Sequence, residues 1–114
     1  VALGRIAVDR GLVVVPDGGM PPGFRAPPHV EVITASHPVP DAASVRAGHA
    51  ALALAETLGP DDRLLVLLSG GGSSLMTVPR EPLTLADLIA INDALLRSGA
   101  PISVINTIRR ALCK

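Results

Sequence analysis

The sequence contains no tryptophan, no tyrosine and a single phenylalanine, Phe24. Any core must therefore be assembled from Leu, Val, Ile and Ala, and the aromatic platforms on which single-stranded nucleic acids stack are missing. The lone cysteine, Cys113, cannot close an internal disulfide. Neither sign of charge is in excess, with 10 Lys and Arg against 10 Asp and Glu, so no nucleic acid or other polyanion is expected as a partner. No apolar run reaches membrane-spanning length and no basic-then-apolar leader opens the chain, so no membrane partner is expected and a cytoplasmic setting is the default. Lysine is the scarcest charged residue: nine of the ten basic residues are arginines and the last is Lys114. Chemistry that needs an interior lysine is thereby excluded from these residues.

What is present reads as a globular chain. Apolar residues make up 48% of 114 positions, enough for one core and too few residues for two. The chain is expected to be one domain or part of one, since it starts at Val1 and stops inside a helical pattern. "GLVVVPDGG" predicts a strand over Leu12 to Val15 closed by a turn, and "GGMPPGFRAPPH" predicts a loop. "VEVITAS" predicts a second strand over Val30 to Thr34. The alanine-rich run from Ala42 to Leu58, with Ala47, Ala51, Leu54 and Leu58 three or four apart, predicts a helix ended by Gly59-Pro60, with Asp41 as its N-cap. "LLVLL", Leu64 to Leu68, lacks polar alternation and predicts a parallel strand buried on both faces, completing a βαβ unit. Two more helices are predicted, Leu85 to Arg97 behind a Thr84–Asp87 capping pair and Ile102 to Leu112 behind Pro101. No internal repeats occur. The fold class predicted is α/β, a Rossmann-like parallel sheet with flanking helices.

Three constellations could carry chemistry. Ser69-Gly70-Gly71-Gly72-Ser73-Ser74 follows "LLVLL", where an open α/β sheet binds its ligands. Its glycines would let backbone N–H groups approach an anion, and its hydroxyls would add donors. A flexible turn is the competing reading. The run is neither GxGxxG nor a P-loop, and Gly71-x-Ser73-x-Leu75 is not a hydrolase elbow. His37-Pro38-Val39-Pro40-Asp41 holds His37 on a stiff arm, either facing a ligand or satisfying local hydrogen bonds. No partner side chains stand at metal-ligand spacing around it. Asn106, Arg109, Arg110 and Cys113 fall on one arc of the last helix, which is either a solvated face or a contact for carboxylate or phosphate. Cys113 itself reads as structural.

In "HPVPD" (37 to 41), "LLSGGGSSLM" (67 to 76) and "LLRSGAPISVINTIRR" (95 to 110), in this order, the chain resembles the class II glycerate kinases. These enzymes pair a large Rossmann-like domain with a second, MOFRL domain. The resemblance implies that residues 1–114 are part of the large N-terminal domain of a glycerate 2-kinase. That enzyme uses ATP and Mg2+ to convert D-glycerate to 2-phosphoglycerate. It also implies that Ser69, Gly70, Gly71, Gly72, Ser73 and Ser74 bind phosphate or substrate, with His37, Asn106 and Arg109 beside them. The family's catalytic lysine lies upstream in a segment not represented here, and the MOFRL domain is likewise outside, so the chain alone is expected to be inactive. Family members commonly continue "RKHLS" where this chain has Arg110-Ala111-Leu112-Cys113. Two alternatives stand beside the kinase. One is a non-catalytic nucleotide- or acid-binding module. The other is a hydroxypyruvate reductase, a name some relatives carry, although the dinucleotide fingerprint such an enzyme would need is missing.

Overall fold

The computed structural model describes residues 7–114; the opening segment 1–6 lies outside the described residues. Valine-rich β1, Gly11–Pro16, and β2, Val30–Ala35, run parallel, paired from Gly11↔Val30 to Pro16↔Ala35. Parallel neighbours need a crossover of roughly a dozen residues, and the Pro- and Gly-rich segment 17–29 supplies it without a helix. Bonds clamp both ends of the pair: the Gly11 N–H donates to the His29 carbonyl at 3.1 Å and the Asp17 N–H to the Ala35 carbonyl at 3.2 Å.

Helix α1, Ala42–Glu56, opens on a reciprocal cap. The Asp41 carboxylate accepts the Ser44 N–H at 2.9 Å, and the Ser44 hydroxyl accepts the Asp41 N–H at 3.0 Å. Its buried face is Ala43, Ser44, Ala47 and Gly48. Ala51 and Leu54 are half-buried and Leu58 lies exposed beyond the helix, so the predicted stripe is covered only towards its amino end. Small residues there let another backbone come very close. A Cβ placed on Gly48 would lie 2.5 Å from Val78 Cγ2 and 2.7 Å from the Thr77 carbonyl oxygen, while the Thr77 N–H donates to the Ser44 carbonyl at 3.2 Å.

The predicted third strand is a correction. Leu64 to Leu68 pairs with nothing among the described residues, and its residues are 54% to 78% exposed. Backbone donors and acceptors of a strand need a neighbour, and the described sheet consists of β1 and β2 alone. The βαβ unit therefore closes at its first strand and helix only, and the aliphatic run stands uncovered. A four-residue helix that the sequence did not announce, α2, Gly72–Leu75, follows it.

Helix α3, Leu85–Arg97, starts on the Thr84–Asp87 capping box and gives way to Gly99 at φ +69°; α4, Ile102–Leu112, starts behind Pro101. Of the predicted stripe on α4, Ile105 is buried, Ile108 and Leu112 are half-buried and Ile102 is exposed. Cys113 has left the helix: it is extended and forms an antiparallel bridge with Pro79, reinforced by Arg80 N–H to Leu112 carbonyl and Lys114 N–H to Val78 carbonyl, each 2.9 Å. No described helix is long and apolar enough to cross a membrane.

The core at the sheet is small. Ala35, Ala43 and Leu75 are buried together with Val14 packed on them. The radius of gyration, 15.6 Å, exceeds the roughly 13 Å of a compact domain this long. Little apolar side-chain surface is buried at the sheet, and the close backbone approach at Gly48 stands beside it.

Gly48→Ala tests that balance. Alanine in a helix interior is favoured over glycine by about 1 kcal/mol, whereas forcing a methyl into filled space costs about 1–3 kcal/mol. The contact at Gly48 includes a backbone carbonyl that cannot swing aside. A net loss of up to about 2 kcal/mol is expected in urea titration; a gain would mean that α1 and Thr77–Val78 can move apart freely.

Candidate anion site

The glycine loop is held at Gly71 and at its exit. On its exit side Leu75 is buried in the small core and Thr77 is fixed to α1. The Gly71 carbonyl accepts three bonds, from the Ser74 N–H at 3.0 Å, the Leu75 N–H at 3.1 Å and the Ser74 hydroxyl at 2.9 Å. Gly71 itself has φ +86°, a left-handed conformation that side chains rarely adopt. A Cβ built there would meet His37 Cδ2 at 2.6 Å and Nε2 at 2.7 Å. His37 thus occupies the space that a side chain at position 71 would need.

That contact places the loop. His37 lies two residues past the end of β2, so the glycines lie beyond the carboxyl end of that strand, the side of an open α/β sheet where ligands bind. The N–H groups of Gly70, Gly71, Gly72 and Ser73 have no hydrogen-bond partner among the described residues. A Cβ on Gly70 or Gly72 would meet nothing within 4 Å, so neither glycine is demanded by packing. A row of free donors beside open space can receive an anion.

The other predicted residues divide. Ser69 and Ser73 are exposed, whereas the Ser74 hydroxyl proton is spent on the Gly71 carbonyl. Asn106 is exposed on α4. Arg109 is half-buried, and its Nε donates to Asn92 Oδ1 at 2.7 Å, which ties α4 to α3. Among the described residues no hydrogen bond joins Asn106 or Arg109 to the loop. Asn92 and Thr77 went unmarked in the sequence; Thr77 is buried, and its hydroxyl lies 3.1 Å from Cys113 Sγ. Gly48 did leave a signal, a glycine inside a helical pattern, which costs stability relative to alanine and so calls for a packing reason.

A cavity of about 450 Å3 opens at the other end of the sheet, between the amino ends of β1 and β2 and the later turns of α1. Arg10, His29, Glu31, Leu54 and Thr57 line it. It lies at the end of the strands opposite the glycine loop.

Residues 2–114 match the family described as a domain of unknown function, DUF4147. The chain belongs to that family. This DUF4147 chain is 47% identical over 102 residues to an Agrobacterium vitis protein provisionally named a hydroxypyruvate reductase, an alignment covering 90% of this chain and 22% of that protein. It is 44% identical over 82 residues to the D-glycerate 2-kinase of Thermotoga maritima, covering 72% of this chain and 20% of the relative. The crystal structure of a Thermotoga maritima glycerate kinase superposes with a TM-score of 0.82 at 38% identity, covering 91% of this chain and 24% of that one. The DUF4147 chain thus spans between a fifth and a quarter of the length of these relatives, and its α/β class is theirs.

The cap that carries the His37 arm has a pH signature. Hydrogen bonds from Ser44, its backbone N–H first, hold the Asp41 carboxyl below the ordinary carboxylate range. The sign follows from a lowered folded-state pKa: the stabilisation is present above the unfolded-state value and is lost as pH falls through the folded one. Asp41→Asn is expected to flatten the acid side of the stability profile in urea titrations below the usual carboxylate pKa. An unchanged profile would mean that the cap opens before the chain unfolds.

Proposed function

We propose that this chain is the loop-bearing part of an ATP-dependent glycerate 2-kinase, which transfers phosphate to D-glycerate and forms 2-phosphoglycerate. The observation that carries the reading is the row of free N–H groups from Gly70 to Ser73 at the carboxyl end of β2. In this reading the loop from Ser69 to Ser74 holds a phosphate of the nucleotide or the carboxylate of glycerate. Phosphoryl transfer depends on positioning and on neutralising charge. Backbone donors supply the first, while cationic groups from the rest of a longer polypeptide supply the second, a catalytic lysine and a MOFRL domain among them. Arg109 would add a planar guanidinium from α4, and Asn106 a neutral amide beside it. A cytoplasmic setting belongs to the same proposal.

Open space over Gly70 and Gly72 fits phosphate oxygens, so the loop suits the nucleotide. Magnesium belongs to the same proposal: held mainly through nucleotide phosphates it needs only one or two carboxylates, and since no three His, Cys, Asp or Glu side chains gather at metal-holding distance among the described residues, no step is assigned through it. The reductase name of some relatives finds no support in a GxGxxG fingerprint, which this loop lacks.

The test separates ligand space from turn geometry. In a full-length kinase carrying this segment, Gly70→Ala and Gly72→Ala are expected to lower kcat/KM about a hundredfold, with melting temperature nearly unchanged, because their new methyl groups meet no protein atom. A fall in melting temperature with activity per folded molecule preserved would reduce the loop to a turn. Arg109→Lys is expected to raise the KM for glycerate or ATP about tenfold; unchanged kinetics would confine Arg109 to holding α4 on α3. The 114-residue chain alone should release no ADP in a coupled assay with glycerate and ATP.

A further inference from the structure

We propose that His37 is a positioning residue of the glycine loop, its imidazole edge fixing Gly71 and thereby the aim of the neighbouring amides, without touching the bound anion. The inference rests on the loop being an anion site. The three atoms nearest to a Cβ at Gly71 all belong to His37: Cδ2 at 2.6 Å, Nε2 at 2.7 Å and Cγ at 3.6 Å. At Gly70 and Gly72 the same construction meets nothing within 4 Å. The ring is therefore turned onto position 71 and stays out of the space the open glycines leave.

Gly71 is the hinge of the loop's donors. Its carbonyl takes three bonds from Ser74 and Leu75, whereas the N–H groups from Gly70 to Ser73 have no partner among the described residues. A rotation about the left-handed Gly71 backbone would redirect those N–H groups, and nothing in a glycine's own side chain opposes it. The opposing wall is His37. Its backbone is anchored between β2 and the Asp41 cap of α1, with Pro40 buried between. Two segments more than thirty residues apart are thus braced through a ring edge and a missing side chain.

The test uses the 15N-labelled 114-residue chain and inorganic phosphate as probe. His37→Ala should speed hydrogen exchange of the Ser74 and Leu75 amides about tenfold, leaving Leu88 in α3 unchanged as the control for global stability. Phosphate should shift the amides of Gly70 to Ser73 in the parent chain, and His37→Ala should weaken that binding about tenfold. His37→Phe, which restores a flat ring edge without a nitrogen, should recover affinity to within about twofold of the parent. Saturating phosphate should leave the His37 ring resonances in place. Unchanged exchange in His37→Ala overturns the proposal. So does a phenylalanine variant as weak as alanine together with a phosphate-shifted His37 ring, because the imidazole would then be a direct ligand. If phosphate moves no loop amide in the parent chain, the anion reading fails, and the exchange result alone decides whether His37 braces Gly71.

Discussion

The close approach of α1 to the segment after the glycine loop governs much of this structure. Gly48 admits the Thr77 carbonyl and the Val78 side chain to distances no Cβ would tolerate, and the Ser44 carbonyl takes the Thr77 N–H. A helix carbonyl has a second lone pair, so such a bond can add to the helix without opening it. Everything downstream is referenced to that point. Pro79 bridges to Cys113, Arg80 reaches the Leu112 and Cys113 carbonyls, and α4 is held by its carboxyl end. Upstream, α2 must finish where Thr77 begins, which sets the length of the loop. Alanine, serine and glycine on the buried face of α1 serve this contact better than leucine could, because larger side chains would hold the two backbones apart.

Local signals in the sequence were sufficient for most elements. Valine runs gave both strands to within a residue, and the Asp41 and Thr84–Asp87 caps gave the starts of α1 and α3. The failure at Leu64 to Leu68 is of a different kind. Continuous aliphatic sequence reports a strand meant for burial on both faces, but it does not say what buries it. Pairing is a property of two segments, and no second segment is at hand among the described residues. The exposed run is thus a demand for cover that the pattern states and the fold described here leaves unmet.

The site was legible in parts. Three glycines in a row mark a backbone needing clearance, yet the sequence cannot distinguish their reasons. Gly71 is glycine because of its left-handed backbone and because His37 fills the neighbouring space, whereas Gly70 and Gly72 face open space. That difference comes from a contact across more than thirty residues, invisible to any local rule. The helical arc drawn through Asn106, Arg109 and Cys113 failed at its end for a related reason. Periodicity assumes that the helix continues, and the bridge to Pro79 pulls Cys113 out of it.

A thin core also constrains how the loop can work. Little apolar burial supports the Ala35, Ala43 and Leu75 cluster, so the rigidity a binding loop needs must come from directional contacts. The loop has them on one side only: the Gly71 carbonyl is saturated while the N–H groups from Gly70 to Ser73 have no partner among the described residues. An anion received by those amides would supply the missing half of their hydrogen bonding. Binding and local order would then be the same event, and occupancy of the loop would stiffen the connection from the uncovered aliphatic segment to α1. In that arrangement a tight loop is a consequence of the ligand as much as its cause, and what the free chain must provide is a hinge held at the right angle, which is the part that His37 and Gly71 share.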